Sequence, residues 1–110
     1  RLDAERKKRM FEQVLEFDPV DPIALFGIGS ALAVLMEWAE AARMLERASD
    51  ADKNNSAVYL AWGKALEELG QTDEAIATYE SGMEVASRRG DLMPLKEMEH
   101  RVLLLSATRG

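Results

Sequence analysis

The stretch WGKALEELGQTDEAIATYESG, residues 62–82, decides the fold. It reads as two amphipathic helices joined at Gly70, a residue suited to stopping a helix in the left-handed conformation. It holds no nucleophile beside a base, no phosphate loop and no metal-ligand spacing. Two helices specified so clearly, with no chemistry on them, point to a repeat unit whose surface does the work.

The repeat emerges when the chain is shifted against itself by 34 residues. Gly29 falls on Gly63, Ala31 on Ala65, Leu32 on Leu66 and Leu35 on Leu69. Glu40 falls on Glu74, Ala41 on Ala75 and Glu46 on Glu80. Conservative pairs fill the gaps: Leu25 with Tyr59, Ile28 with Trp62, Leu45 with Tyr79, Ala48 with Gly82. One further step back, Phe11 aligns with Leu45 and Tyr79, and Glu12 with Glu46 and Glu80. The register runs through three copies, the first of them partial.

The period and these residues resemble the tetratricopeptide repeat, a helix hairpin of 34 residues. The resemblance is carried by Tyr59, Trp62-Gly63 and Leu66 on one helix, by Gly70, and by Ala75, Tyr79 and Gly82 on the next. It covers residues 11–89. It implies an all-α, right-handed superhelix of antiparallel hairpins with a C-terminal closing helix. On that reading residues 1–21 are the second helix and linker of a partial repeat. Residues 22–55 and 56–89 are repeats, and 90–110 are the closing helix and tail, all within one domain. Helices are expected over residues 2–17, 22–35, 37–50, 56–69, 73–89 and 92–107.

Elementary physics supports that organisation. Glycine inside a helix costs about 1 kcal/mol relative to alanine, so close helix approach accounts for Gly29 and Gly63. Asp21-Pro22 is a strong helix start, since Asp caps and Pro fits the first turn. Asn55 or Ser56 can cap the fourth helix and Thr72 the fifth. Gly70 and Gly90 suit left-handed stops. Met36 takes the place of Gly70 in the earlier copy. A left-handed turn would strain it, so a different turn is expected there, with Trp38 packed over it. The last helix places Leu92, Leu95, Met98, Val102 and Leu105 on one face, and its other leucines meet either the preceding hairpin or another chain.

Composition narrows the function. The 110 residues are 47% hydrophobic and 31% charged, too apolar for disorder. Net charge is −6, which argues against a general nucleic-acid binder. With no cysteine there is no disulfide or thiol chemistry, and the compartment is left open. No apolar run reaches the ~20 residues of a membrane span. The chain begins at Arg1 and reads as a domain of a longer protein. Residues 1–10 carry a net +3, read as a solvated helix face. Lys7 and Lys8 stand where the later copies have Ala41-Ala42 and Ala75-Ile76, so this segment is not expected to pack like a true repeat.

No catalytic residue, cofactor or metal is implied. Glu97 and His100 form the Glu-x-x-His pair of di-iron bundles, but a bundle needs two such pairs and the chain has one histidine. Serines and threonines have no motif-type base partner. What is left is the concave surface that the family resemblance implies. It is assigned Ile23, Phe26, Ser30, Val34, Leu60, Lys64, Glu67 and Glu68, with Asp91, Met98 and Arg101 contributed by the closing helix. A related subfamily clamps a terminal carboxylate of heat-shock chaperones with Lys, Asn and Arg. The matching places here hold Phe26, Ser30, Ala61, Asp91 and Leu95, so that clamp is absent. The expected function is a scaffold or adaptor module taking a protein or peptide partner by an extended segment or helix. The alternative is self-association through the open repeat edge or the last helix. Exposed apolar residues at Ile23 and Phe26 suit a groove, a repeat interface or a dimer edge alike.

Overall fold

The computed structural model describes residues 1–109. Six helices follow one another: α1 (Leu2–Phe17), α2 (Pro22–Val34), α3 (Trp38–Ala51), α4 (Ser56–Glu68), α5 (Thr72–Arg89) and α6 (Leu92–Arg109). Each packs against its neighbour in sequence. In addition α2 touches α4 and α4 touches α6, whereas the odd-numbered helices do not touch one another. The even helices therefore form an inner layer and the odd helices an outer one. The result is a right-handed superhelix of helix hairpins, elongated to 43 × 28 × 19 Å, with α6 covering the last hairpin.

Most helix ends follow from their residues. The Asp21 carboxylate accepts from the Ile23 and Ala24 amides at 2.9 and 3.2 Å, with Pro22 in the first turn. Asn55 caps α4 by accepting from the Ala57 amide at 3.1 Å. Gly70 and Gly90 are left-handed, as expected. Thr72 is not a cap: Gln71 takes that position with no side-chain bond, because its own amide closes α4 on the Leu66 carbonyl. The link is too short to leave Thr72 outside the helix.

Met36 overturns the expected change of turn. Its φ is +60°, and the Met36 and Glu37 amides bond the Ala33 and Leu32 carbonyls. The Gly70 and Gln71 amides do the same to Glu67 and Leu66. Both hairpins thus use one turn, and the two closing hydrogen bonds outweigh the left-handed strain of about 1–2 kcal/mol. Trp38 is half-buried against the main core.

The hairpins close on their small residues. A side chain on Gly29 would meet Leu45 at 2.7 Å, and one on Gly63 would meet the Tyr79 ring closer still. Leu25, Ile28, Leu45, Tyr59 and Tyr79 are buried, and Trp62 is half-buried with its ring tilted against Tyr59 at 6.4 Å. Leu95, Met98, Val102 and Leu105 of α6 join this core, while Leu92 stays exposed. Leu103 and Leu104 are exposed too, so they do not pack on the preceding hairpin. In α1 only Ala4 is buried, and Lys7 is exposed where Ala41 and Ala75 are fully enclosed.

Candidate functional site

An apolar groove of about 450 Å³ runs between α1 and α2. Ile23, Phe26, Ser30 and Val34 form its α2 wall, one helical face at three- and four-residue spacing. Ala4, Lys7 and Phe11 form the α1 wall. Gly27 shapes the floor: the Phe11 ring lies where a Gly27 side chain would be. The later copies have Ala61 and Leu95 in place of Gly27, so only the first unit allows this contact. Ile23 and Val34 are 73% and 60% exposed, high for aliphatic residues on facing turns. A smaller dent of about 110 Å³ lies on the other side of Ile23 and Phe26, toward Val58 of α4.

The four α2 residues assigned to the surface are thus brought together. The four on α4 are not part of that groove. Lys64 donates to Glu97 of α6 at 2.7 Å, and this ammonium, opposed by partial burial, holds the Glu97 carboxyl below its ordinary range. Glu67 accepts from the Tyr79 hydroxyl and pairs with the Arg101 guanidinium at 3.4 Å. Burial, then the hydrogen bond to Glu67, push the Tyr79 phenol far up. Lys64, Glu67 and Arg101 are therefore committed to fastening α6 onto α4. Leu60 is half-buried against the core and Glu68 is exposed.

Two residues expected from the closing helix are also placed elsewhere. Met98 is fully buried against Gly82, and Asp91 accepts from the Ser56 hydroxyl at 2.8 Å and pairs with Arg89. Ala4, Lys7 and Phe11 are not legible from the register, which assigns the inner surface to even helices alone, and Gly27 is on α2 but outside the assigned face. The signal available was Gly27, a helical glycine with no counterpart in the later copies. Among the described residues no cluster of His, Asp or Glu is arranged to hold a metal ion, and no helix is long and apolar enough to cross a membrane.

Comparison with known proteins matches residues 37–89 to the tetratricopeptide repeat model. No curated protein matches the chain. Among solved structures, a tetratricopeptide repeat domain protein from Salinibacter ruber is 29% identical over 82% of this chain and 91% of its own, with a TM-score of 0.73. The TPR2B domain of yeast Sti1, solved as an Hsp70 complex, is 18% identical over 96% and 85%, with a TM-score of 0.88. The type III secretion chaperone SycD of Yersinia enterocolitica, solved with a peptide of the translocator YopD, is 13% identical over 98% and 83%, with a TM-score of 0.90. The matched segment spans α3, α4 and α5, the hairpins around it repeat the same small-residue contacts, and the chain is similar to tetratricopeptide repeat proteins in that segment and in its fold.

Proposed function

We propose that this chain is a protein–protein interaction module, not an enzyme, that binds a helix or extended segment of a partner and serves as a scaffold or adaptor. The observation that carries this reading is the apolar face of α2, where Ile23, Phe26 and Val34 line one groove without a covering element among the described residues. Contiguous exposed apolar surface of this kind marks interaction sites. Tetratricopeptide repeat domains are in general interaction modules, and the Sti1 and SycD neighbours were solved with peptides or segments of their partners. Phe26 is the anchor, because it lines both the groove and the dent toward α4. Leu60 lies on α4, half-buried against the core. Lys64, Glu67 and Glu68 lie on α4 outside the groove, and the first two are held by their internal pairs.

The test is the affinity of a partner captured with the natural full-length protein. Phe26→Ala is expected to weaken it by about 1–3 kcal/mol with helicity unchanged by circular dichroism. Unchanged affinity refutes the reading. A second reading, self-association, draws on α6, which leaves Leu92, Met93, Leu103 and Leu104 exposed. Sedimentation separates the two, since a concentration-dependent dimer lost in Leu103→Ser supports assembly.

A further inference from the structure

The interaction reading above concerns the inner layer. A separate feature lies on the outer layer, over the face of α2 formed by Leu25, Ile28 and Leu32. A hollow of about 420 Å³ opens between the outer helices α1 and α3 with Ile28 and Leu32 as its floor, and none of its residues lines the α1–α2 groove. A second hollow, of about 380 Å³, lies over Leu25 between Val20 and the end of α3. Arg47 lines both.

The next repeat shows what these positions can hold. The 34-residue register puts Tyr59 in place of Leu25 and Trp62 in place of Ile28. Their ring centroids are 6.4 Å apart, Tyr59 is 9% exposed and Trp62 packs half-buried on the core. Beside them α5 has Ala77 and Ser81 where α3 has Arg43 and Arg47. One unit thus pairs two rings with small neighbours, and the other pairs two aliphatic residues with arginines. The arginines do not close the space, since both hollows stand open at the surface.

The rim decides the charge of a guest. Lys8 pairs with Glu12 at 3.9 Å, Arg43 with Glu40 at 3.4 Å, and Lys53 with Asp50 at 3.7 Å. Each carboxylate on the rim therefore has its own cation. Arg47 donates to the Pro19 carbonyl at 3.2 Å and to the Met44 sulfur at 3.5 Å, and it forms no ion pair among the described residues. A guanidinium with unused donors stands beside both hollows in a chain of net charge −6.

We infer that this outer face binds an acidic helical segment of a partner protein carrying two aromatic side chains, one over Ile28 and one over Leu25, with a carboxylate on Arg47. The spacing suits a helix: rings three residues apart lie on one face, as Tyr59 and Trp62 do on α4, and residues one before and four after the first ring flank them. The guest rings bury apolar surface where the next unit uses its own pair. A carboxylate beside them meets the guanidinium in a charge-assisted hydrogen bond. A second copy of the chain does not meet these requirements. Phe17 is the one aromatic side chain exposed among the described residues, and it brings one ring to two hollows.

The probe is a stapled helical peptide with two tryptophans three residues apart, flanked by glutamates, added to the isotope-labelled full-length protein. One control has the glutamates replaced by glutamine, the other the tryptophans by alanine. Amide shifts are expected at Leu15, Val20, Met44 and Arg47, and none with the alanine peptide. The acidic peptide is expected to bind about fivefold more tightly than its glutamine form, a difference that Arg47→Gln removes. Arg47 is exposed, so that variant keeps its fold, checked by circular dichroism. Ile28→Trp, which fills the larger hollow from within, is expected to weaken binding about tenfold. Ile28 is buried, so its melting curve is taken as well, and Arg47→Gln decides alone if it does not fold. Phe26→Ala is expected to leave the peptide's affinity unchanged. Equal affinity of the glutamate and glutamine peptides, shifts confined to the inner layer, or no binding up to about 1 mM overturns the inference. So does self-association through this face that Phe17→Ala abolishes. None of these outcomes bears on the inner groove, whose reading fails separately if Phe26→Ala does not affect a captured partner.

Discussion

The Tyr79 hydroxyl donates to the Glu67 carboxylate across the α4–α5 hairpin, and that carboxylate also takes the Arg101 guanidinium from α6. One acidic side chain thereby joins three helices. Tyr79 is fully buried, so its hydroxyl needs this partner. Tyr79→Phe keeps the ring against Gly63 and removes only the donor. It is expected to cost about 1–2 kcal/mol, read from urea unfolding. No loss would mean that Arg101 alone satisfies Glu67.

The same ring makes Gly63 intolerant of any side chain. A methyl group there would overlap the Tyr79 ring, and the ring is enclosed by core on its other sides. Gly63→Leu is expected to destabilise by at least ~1–3 kcal/mol, the usual cost of overpacking. Combining it with Tyr79→Ala should recover part of that loss, whereas strict additivity in thermal melts would contradict the contact.

Met36 offers a change in the opposite direction. It is left-handed and 65% exposed, so its side chain contributes little packing to offset the strain. Met36→Gly is expected to stabilise the chain by about 1 kcal/mol, while Met36→Ala should be close to neutral. A melting temperature lowered by the glycine would show that the side chain matters more than the backbone.

Acid should loosen the α4–α6 contact. Lys64 holds the Glu97 carboxyl below its ordinary value of 4.5. A carboxyl depressed in the folded state stabilises it above the unfolded pKa and loses that contribution as pH falls through the folded pKa. The loss is therefore expected only below about pH 4.5. In Lys64→Met the Glu97 titration followed by NMR should move up toward the ordinary carboxylate range. An unmoved titration would place the cause elsewhere.

The sequence by itself determined the period, the element order and the small residues that let the helices meet. Asp21, Asn55, Gly70 and Gly90 mark helix ends through bonds or backbone angles within a few residues, so the expected limits lie within two residues of the observed ones. Gly29 and Gly63 are legible because each departs from helix propensity at the same phase. Tertiary structure decided which side chains are free. Lys64, Glu67 and Asp91 looked like surface residues, yet each finds a partner more than ten residues away, on a helix whose rotation the local pattern does not contain. Met36 shows the same limit for the backbone: local propensity disfavours its turn, and the geometry of the closed hairpin imposes it. Phe11 shows it for packing. Register aligns it with Leu45 and Tyr79, which meet glycines inside their own hairpins, but its ring turns onto Gly27 of the next helix, because no inner helix of its own unit lies against it among the described residues.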